Sequence, residues 1–291
     1  MGEPFEVDIE EVEYLQHGGK PFLARVFRPR GKGPFPAVVE AHGGAWCEGN
    51  RANNDSVNAA IAKGGIVIAA LDFRNPPEAT YPGSVADINY GVRWLKSQAE
   101  RFNTRPGMVG SMGTSSGGHL VVLAALKPFD PRYAAIKLAG AKFDARVPYV
   151  VALWPVICPL GRYRDHMRKD SGERASLRPG GSNAAITQVR YWLTEEAMGE
   201  GSPVLALERG DEVEFPKILY LQNPIDRMHP RHLMEQFIAN YRKRGGDVRQ
   251  ELFEGAAYDV VRSDPSAPSA KAAVAKIVDF IHEQAELGAL R

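Results

Sequence analysis

Stretches typical of β-strands alternate with stretches typical of helices along most of this chain. The run GIVIAALDFR (65–74) is rich in β-branched residues, and SVADINYGVRWLKSQAERF (84–102) has apolar residues at helical spacing. MVGSMG (108–113) then leads into GHLVVLAALK (118–127). Because parallel strands need long crossover connections, this alternation favours a mostly parallel sheet flanked by helices. We therefore predict the α/β fold class.

The alternation is interrupted once, between about residues 159 and 203. PYVVALWPV (148–156) before the interruption and FPKILYLQ (215–222) after it have the apolar character of buried strands. The intervening sequence is polar and then helical over AAITQVRYWLTEEAM (184–198). Since ligands bind at the carboxyl ends of the strands in open α/β sheets, we predict that 159–203 is a helical cap insertion over that edge. It belongs to a single domain that spans residues 1–291.

The stretch GTSSGGHL has the Gly-x-Ser-x-Gly spacing at Gly113, Ser115 and Gly117. The spacing alone is a weak signal, because a Gly/Ser-rich turn without chemistry also contains it. Its context is more specific, since a short strand precedes it and an apolar helix follows, as in a nucleophile elbow. We therefore predict that Ser115 is a nucleophile and that the backbone N–H of Ser116 faces the same space.

A second candidate motif, HGGAW, follows the apolar run AVVEA. A tetrahedral oxyanion needs fixed donors, and consecutive glycines let backbone N–H groups approach it without a side chain in the way. We predict an oxyanion hole formed by the amides of Gly43, Gly44 and Ser116. His42 is expected to anchor this loop rather than to act as a base. Trp46 either walls an acyl pocket or packs in the core.

These motifs together resemble the hormone-sensitive-lipase-like and related carboxylesterase branch of the α/β-hydrolase superfamily. The similarity lies in AHGGAW (41–46), DFRNPPEATYPGSVADINYGVRWL (72–95) and GTSSGGHL (113–120), which have the order and spacing of that family. It covers about residues 20–285 and is most specific over 40–125. The resemblance implies an eight-stranded, mostly parallel sheet, a helical cap, and a catalytic Ser, Asp and His in that chain order.

The acidic residue of the family matches Asp226. KILYLQNPIDRMHP resembles the family's strand and following loop, where Gly-x-x-Asp-x-x-Val-Pro contains the acid, although Asn223 stands where glycine is usual. An Asp at the end of a strand can orient a histidine base and stabilise its charged form. The alternative is that Asp226 caps the helix that follows Pro230.

The catalytic histidine of the family has no counterpart at its usual place. In the family it follows the last strand in a stretch like Gly-x-x-His-x-Phe, and here FEGAAYDVV puts Tyr258 there. No histidine lies between His232 and His282 in the sequence, and His282 falls inside the terminal helical pattern. With a reference pKa near 10, a tyrosine is ionised to about one part in a thousand at pH 7, so Tyr258 does not replace an imidazole base.

Three interpretations of this gap stay open. In the first, His229 is a substitute base. The sequence favours a half-exposed loop histidine instead, because His229 is only three residues from Asp226 and a hydrogen bond between them would need a strained geometry. In the second, Tyr258 donates a hydrogen bond or a proton in a lyase or isomerase reaction that uses the oxyanion hole. In the third, an introduced His-to-Tyr change silences a normal esterase. A binding protein on a hydrolase scaffold is a further alternative.

We predict a carboxylic ester hydrolase that acts on short or medium acyl esters or on aryl esters. A net charge of +1 offers no broad attraction for nucleic acid or for an anionic membrane, so the expected partner is a small-molecule ester. No Cys-x-x-Cys spacing occurs and His166 has no neighbour at a metal-ligand spacing, so we expect neither a metal nor a cofactor. The N-terminal sequence lacks a signal-peptide pattern, which favours a cytoplasmic location. A homo-oligomer is left open.

The insertion also contains a basic stretch. Residues 162–178 include six Lys or Arg side chains and three Asp or Glu side chains. This excess of positive charge is compatible with the steering of a carboxylate-bearing substrate. An ordinary solvated cap surface is the interpretation that the sequence favours.

Overall fold

The sheet of this protein is seen in a computed structural model that describes residues 3–140, 142–168, 184–255, 257 and 259–289. Its strands are β1 (Val7–His17), β2 (Lys20–Pro29), β3 (Ala37–Ala41), β4 (Val67–Leu71), β5 (Val109–Thr114), β6 (Tyr149–Leu153), β7 (Lys217–Gln222) and β8 (Val248–Leu252). In this described part, the eight strands pair in the order β1-β2-β4-β3-β5-β6-β7-β8. All pairs from β4 to β8 are parallel, whereas β2 is antiparallel to both of its neighbours. The predicted mostly parallel, eight-stranded sheet is confirmed.

Helices cover both faces of this sheet. They are α1 (Asp55–Ala62), α2 (Gly83–Ser97), α3 (Ser115–Leu126), α4 (Pro159–Arg168), α5 (Ala184–Trp192), α6 (Glu195–Glu200), α7 (Pro203–Arg209), α8 (Arg231–Lys243), α9 (Val260–Ser263) and α10 (Pro268–Ala289), with a short 3₁₀ turn at Pro106–Met108. Residues of α2, α3 and α8 share one hydrophobic cluster, and residues of α1 and α10 share the other. The predicted layers of sheet and flanking helices are therefore present.

The central strands are buried on both faces. Along β3, Val38 belongs to the cluster on the α1 and α10 side, whereas Val39 belongs to the opposite cluster. β3 and β5 are parallel neighbours in which Ala41 lies opposite Gly113, so the HGGAW loop and the GTSSGG turn leave the sheet side by side. This pairing brings the two candidate motifs together at the carboxyl edge of the sheet.

The connection between β6 and β7 contains α4 to α7, at the place predicted for the cap. The helical pattern predicted over 184–198 is found as two helices, because the chain breaks at Leu193 and Thr194 between α5 and α6. Leu193 has a φ of +64°, and the Thr194 hydroxyl oxygen accepts the backbone N–H of Ala197, which caps α6. Residues 169–183 of the predicted insertion lie outside the described residues.

Within the described ranges, no helix combines the length and the hydropathy that a membrane span requires.

The close approach of α3 to the end of β3 generates a prediction about Gly117. A β-carbon at this position would overlap the carbonyl oxygens of Ala41 and His42, which are backbone atoms that do not rotate away. We expect Gly117→Ala to lower the free energy of unfolding by about 1–3 kcal/mol or more, because an overpacked site must displace the backbone. Urea unfolding measures this change.

Gly199→Ala is the matched control for this measurement. Gly199 lies inside α6, and a β-carbon there would meet its nearest neighbour, a methyl carbon of Leu160, at an ordinary 3.4 Å. Since alanine favours a helix over glycine by up to about 1 kcal/mol, this variant is expected to be neutral or slightly more stable. Equal destabilisation by the two variants would contradict the prediction.

Candidate active site

Ser115 lies at the sharp junction between β5 and α3. Its φ is +51°, a left-handed value that is rare for a residue with a β-carbon. The turn is tight, because a β-carbon on Gly113 would lie 2.6 Å from the carbonyl carbon of Gly117. The carbonyl oxygen of Ser115 accepts the backbone N–H of Val156 at 3.0 Å, which fixes the turn to the segment after β6. The half-buried serine is thus held at the carboxyl edge of the sheet.

His229 lies between Ser115 and Asp226. Its Nε2 atom is 3.0 Å from the Ser115 hydroxyl oxygen, and its Nδ1 atom is 2.7 Å from Oδ2 of Asp226. The histidine is only 4% exposed, so the preference for a half-exposed loop histidine is wrong. A carboxylate accepts hydrogen bonds and does not donate them, so Nδ1 carries the proton and Nε2 is the nitrogen that accepts from the hydroxyl.

The short separation of acid and histidine is accommodated without the strain that we expected. Oδ1 of Asp226 accepts the backbone N–H groups of Met228 at 2.8 Å and of His229 at 3.1 Å, which curls the loop around the carboxylate. The carbonyl oxygen of His229 accepts the side-chain amide of Gln222 at 2.7 Å. Within the fully described segment 223–230, no residue has a positive φ. The alternative role of Asp226 as a helix cap is also wrong, because α8 has no side-chain cap.

Asn223 ties this loop to the segment after β8. Its side-chain N–H groups donate to the carbonyl oxygens of Gly255 at 3.4 Å and Ala257 at 3.0 Å, and its side-chain oxygen accepts the N–H of Ile225 at 3.0 Å. The asparagine that replaces the family's usual glycine therefore braces the loop of the acid. Tyr258 lies outside the described residues, so the hypotheses that involve it stay predictions.

The HGGAW loop contacts the serine turn through Gly43. Its backbone N–H donates to the Thr114 hydroxyl oxygen at 2.9 Å, and a β-carbon on Gly43 would lie 3.2 Å from that of Ser115. Because this amide is already engaged, we correct the prediction that it belongs to the oxyanion hole. Gly44 has a φ of +124°, and any side chain there would overlap the Glu48 carbonyl group. Gly44 and Ser116 stay the predicted oxyanion donors.

Two buried side chains hold the ends of this loop. The ring of His42 stacks on Phe73 with a centroid distance of 4.3 Å, and burial lowers the pKa of His42 to about 4. His42 is therefore neutral at pH 7, and its position is that of an anchor. The indole N–H of Trp46 donates to Nδ1 of His119 at 3.2 Å, and Nε2–H of His119 donates to the Gly201 carbonyl oxygen at 2.8 Å. Trp46 is only 1% exposed, as expected for core packing.

Behind the loop lies a buried polar network. The side-chain amide of Asn54 donates to Oε1 of Glu40 at 2.7 Å and to the Thr114 hydroxyl oxygen at 3.1 Å, and the Asn58 amide donates to Oε2 of Glu40 at 3.4 Å. Burial raises the pKa of Glu40 to about 7, because the loss of hydration outweighs the two amide hydrogen bonds.

Other residues considered in the sequence lie elsewhere. His282 hydrogen-bonds with the Gly64 carbonyl oxygen, next to the end of α1. In the basic stretch, Arg162 is buried and donates to the side-chain oxygen of Gln188, and the rest from 169 to 178 lies outside the described residues. Among the described side chains, no three or more His, Cys, Asp or Glu residues form a group able to hold a metal ion.

Comparison with protein families and sequences finds similarity to proteins described as ester hydrolases. A family model described as BD-FAE matches residues 26–171, which is just over half of the chain. A probable carboxylic ester hydrolase, LipM of Mycobacterium tuberculosis, is 32% identical over 119 residues, which are 40% of this chain and 28% of the relative. A probable isoprenylcysteine alpha-carbonyl methylesterase of Oryza sativa subsp. japonica is 24% identical over 261 residues, which are 86% of this chain and 58% of the relative. This chain thus spans less than two thirds of the length of either relative.

A solved structure with a similar fold is the esterase of Pyrobaculum calidifontis. It superimposes with a TM-score of 0.76 over 97% of this chain and 87% of that chain, at 23% sequence identity. Together with the strand order, this likeness confirms the predicted α/β-hydrolase fold.

The buried carboxyl of Glu40 generates a prediction about stability and pH. Its pKa is near 7 in the folded protein and near the ordinary 4.5 in the unfolded chain, so folding favours the neutral form. This contribution to stability is fully present below pH 4.5 and is lost as the pH rises through 7. Glu40→Gln removes the titrating carboxyl, so only the wild type should lose this stability between pH 5 and pH 8. The Tm of the variant, relative to that of the wild type, should therefore be higher at pH 8 than at pH 5. Thermal unfolding at both pH values measures the shift.

Glu212→Gln serves as the control, since Glu212 is an exposed carboxylate. Its Tm is expected to follow that of the wild type at each pH. If the Tm difference for Glu40→Gln were the same at pH 5 and pH 8, the carboxyl would not be titrating as described.

Proposed function

The chain belongs to the BD-FAE family, and on that premise we propose that it is a serine carboxylic ester hydrolase. The observation that carries this proposal is the hydrogen-bonded line from the Ser115 hydroxyl through His229 to Asp226. The three side chains have the contacts that a nucleophile, its base and the acid behind the base require. In this proposal His229 takes the role that the family gives to a histidine at the position of Tyr258.

The proposed reaction has two halves that use the same base. The Ser115 oxygen attacks the acyl carbon while its proton moves to Nε2 of His229, and the imidazolium is stabilised by Asp226. Collapse of the tetrahedral intermediate breaks the bond to the alcohol oxygen, which receives the proton from His229. Water then loses a proton to His229 as it attacks the acyl carbon. Collapse of this second intermediate breaks the bond to the Ser115 oxygen, which takes the proton back from His229, and the carboxylic acid leaves.

The negative charge of each tetrahedral intermediate needs donors, and we assign them to the amides of Gly44 and Ser116. Ser116 is the second residue of α3, where backbone N–H groups have no partner within the helix. Gly44 follows the amide that Thr114 engages, in the loop that lies against Ser115. Such donors stabilise the transition state more than the substrate, because the charge develops only as the carbonyl is attacked.

The substrate class that we propose is a small-molecule ester with a short or medium acyl group or an aryl group. The similarity to proteins described as ester hydrolases and methylesterases supports an ester. A binding protein on the same scaffold has no need for a base in contact with Ser115. The alternatives that depend on Tyr258 are outcomes of the experiments below.

The first test is the hydrolysis of p-nitrophenyl butyrate by the wild type, Ser115→Ala and His229→Gln. We expect steady release of nitrophenolate by the wild type and a loss of kcat on the order of 10³-fold or more in each variant, because each removes a member of the relay. His232→Gln is the matched control, since this neighbouring side chain is 62% exposed and pairs with Asp165. Full activity in His229→Gln would sink the assignment of the base.

The second test concerns Asp226→Asn, which keeps the shape of the side chain. An amide in place of the carboxylate favours the wrong tautomer of His229, so kcat should fall by on the order of 10³- to 10⁴-fold. The parallel variant Tyr258→Phe should keep wild-type turnover. Loss of nitrophenolate release in Tyr258→Phe together with an active Ser115→Ala would instead mean that the reaction depends on Tyr258 and not on Ser115, which would overturn the proposed mechanism.

A further inference from the structure

We propose that Asn54 and Thr114 are positioning residues for the oxyanion loop, an inference that rests on the proposed ester hydrolysis. Asn54 lies just before α1 and is 2% exposed. Its side chain hydrogen-bonds with Glu40 and Thr114, and not with Ser115 or His229. Its effect on the reaction would therefore pass through Thr114.

The first step is the double use of one oxygen atom. A hydroxyl oxygen has two lone pairs, and the Thr114 oxygen accepts from the Asn54 amide at 3.1 Å and from the Gly43 N–H at 2.9 Å. Thr114 directly precedes Ser115 in the chain, and Gly43 directly precedes Gly44. One atom thus joins the turn of the nucleophile to the loop of the oxyanion donors.

The second step is the orientation of that oxygen. The amide of Asn54 has two hydrogens, and one binds Oε1 of Glu40 at 2.7 Å while the other faces Thr114. Because Oε1 of Glu40 accepts from this amide while Oε2 accepts from Asn58, Glu40 keeps the nitrogen end of the Asn54 amide, rather than its oxygen, turned toward Thr114. The rotamer of Thr114 is fixed in turn.

The third step is the cost of this arrangement. A buried carboxyl and a buried amide destabilise an apolar core relative to well-packed aliphatic residues. Glu40 and Asn54 are both almost fully buried, and the face of β3 that carries Glu40 also carries Val38, which belongs to the hydrophobic cluster of α1 and α10. Catalysis gives a reason for them, because a donor displaced by about 1 Å from a developing oxyanion lowers the rate by up to about 100-fold.

The expected consequence is a change in kcat with little change in KM. The donors of Gly44 and Ser116 act mainly in the transition state, so misplacing the loop leaves ground-state binding nearly intact. Thr114→Val keeps the shape of the side chain and removes the acceptor, and Asn54→Leu removes the donor. We expect each to lower kcat by about 10- to 100-fold. Thr114→Ser, which retains the hydroxyl, should restore most of the rate.

Asn58→Leu is the matched control. Asn58 is as buried as Asn54 and also donates to Glu40, but it makes no hydrogen bond to Thr114. A purely structural role of the network predicts similar losses in the Asn54 and Asn58 variants. A positioning role predicts a fall in kcat for Asn54→Leu. For Asn58→Leu it predicts a wild-type kcat, with no change other than a lower Tm. The double variant Asn54→Leu/Thr114→Val should lose about as much kcat as either single variant, because both substitutions act through the hydrogen bond between Gly43 and Thr114.

A readout that does not depend on turnover separates this inference from the proposed function. Amide hydrogen exchange at Gly43, followed by NMR, reports the bond to Thr114 directly. We expect exchange to accelerate by about tenfold or more in Thr114→Val and in Asn54→Leu, but not in Asn58→Leu. If Asn54→Leu does not fold, the Thr114→Val and Thr114→Ser pair gives the same measurement.

The outcomes are distinct. Faster exchange at Gly43 with a lower kcat and an unchanged KM supports the inference. Unchanged exchange in the folded Asn54→Leu or Thr114→Val variant overturns it, even if Ser115→Ala shows that the protein is an esterase. Faster exchange with a kcat equal to that of the wild type also overturns it. Absence of any Ser115-dependent hydrolysis would refute the proposed function and, with it, the catalytic part of this inference.

Discussion

The left-handed backbone at Ser115 is the constraint on which the rest of the site depends. A serine held at a φ of +51° is strained by roughly 1–3 kcal/mol, so the surrounding structure must enforce it. It does so with glycines at 113 and 117, which let α3 begin against the end of β3. Once that turn is made, the parallel strands β3 and β5 bring the HGGAW loop and Ser115, the proposed nucleophile, to one edge of the sheet. The base must then come from a segment that reaches the same edge.

Much of this arrangement was predictable from the sequence. Strand and helix periodicities are local properties, and the tight turn has a local glycine signature, so the fold class and the place of Ser115 followed from them. The break between α5 and α6 did not follow, because the apolar spacing continues across Leu193 and Thr194 while the backbone does not. Apolar periodicity shows which side chains are buried, not where the backbone stops being helical.

The contacts of His229 and Gly43 were harder to predict, because both depend on hydrogen bonds between distant segments. The spacing of Asp226 and His229 suggested strain, and the structure relieves it with backbone N–H groups that bind the carboxylate. The available signal was the Asp itself, because an Asp side chain often accepts hydrogen bonds from the backbone N–H groups two and three residues later. For Gly43, the glycine-rich sequence predicted a backbone N–H available to substrate. It did not indicate that this N–H would donate a hydrogen bond to the Thr114 hydroxyl.

The acid and the proposed base share one short loop, and this has a consequence for how the site can change over evolution. Where the two groups lie on separate loops, each loop must keep its own length and register for proton transfer to continue. Here Asp226 and His229 are fixed to one another by the loop itself, so they shift together. In the proposed mechanism, the segment between β8 and α9 does not have to supply a proton acceptor. Its backbone still braces the loop of Asp226, because the carbonyl oxygens of Gly255 and Ala257 accept the Asn223 amide.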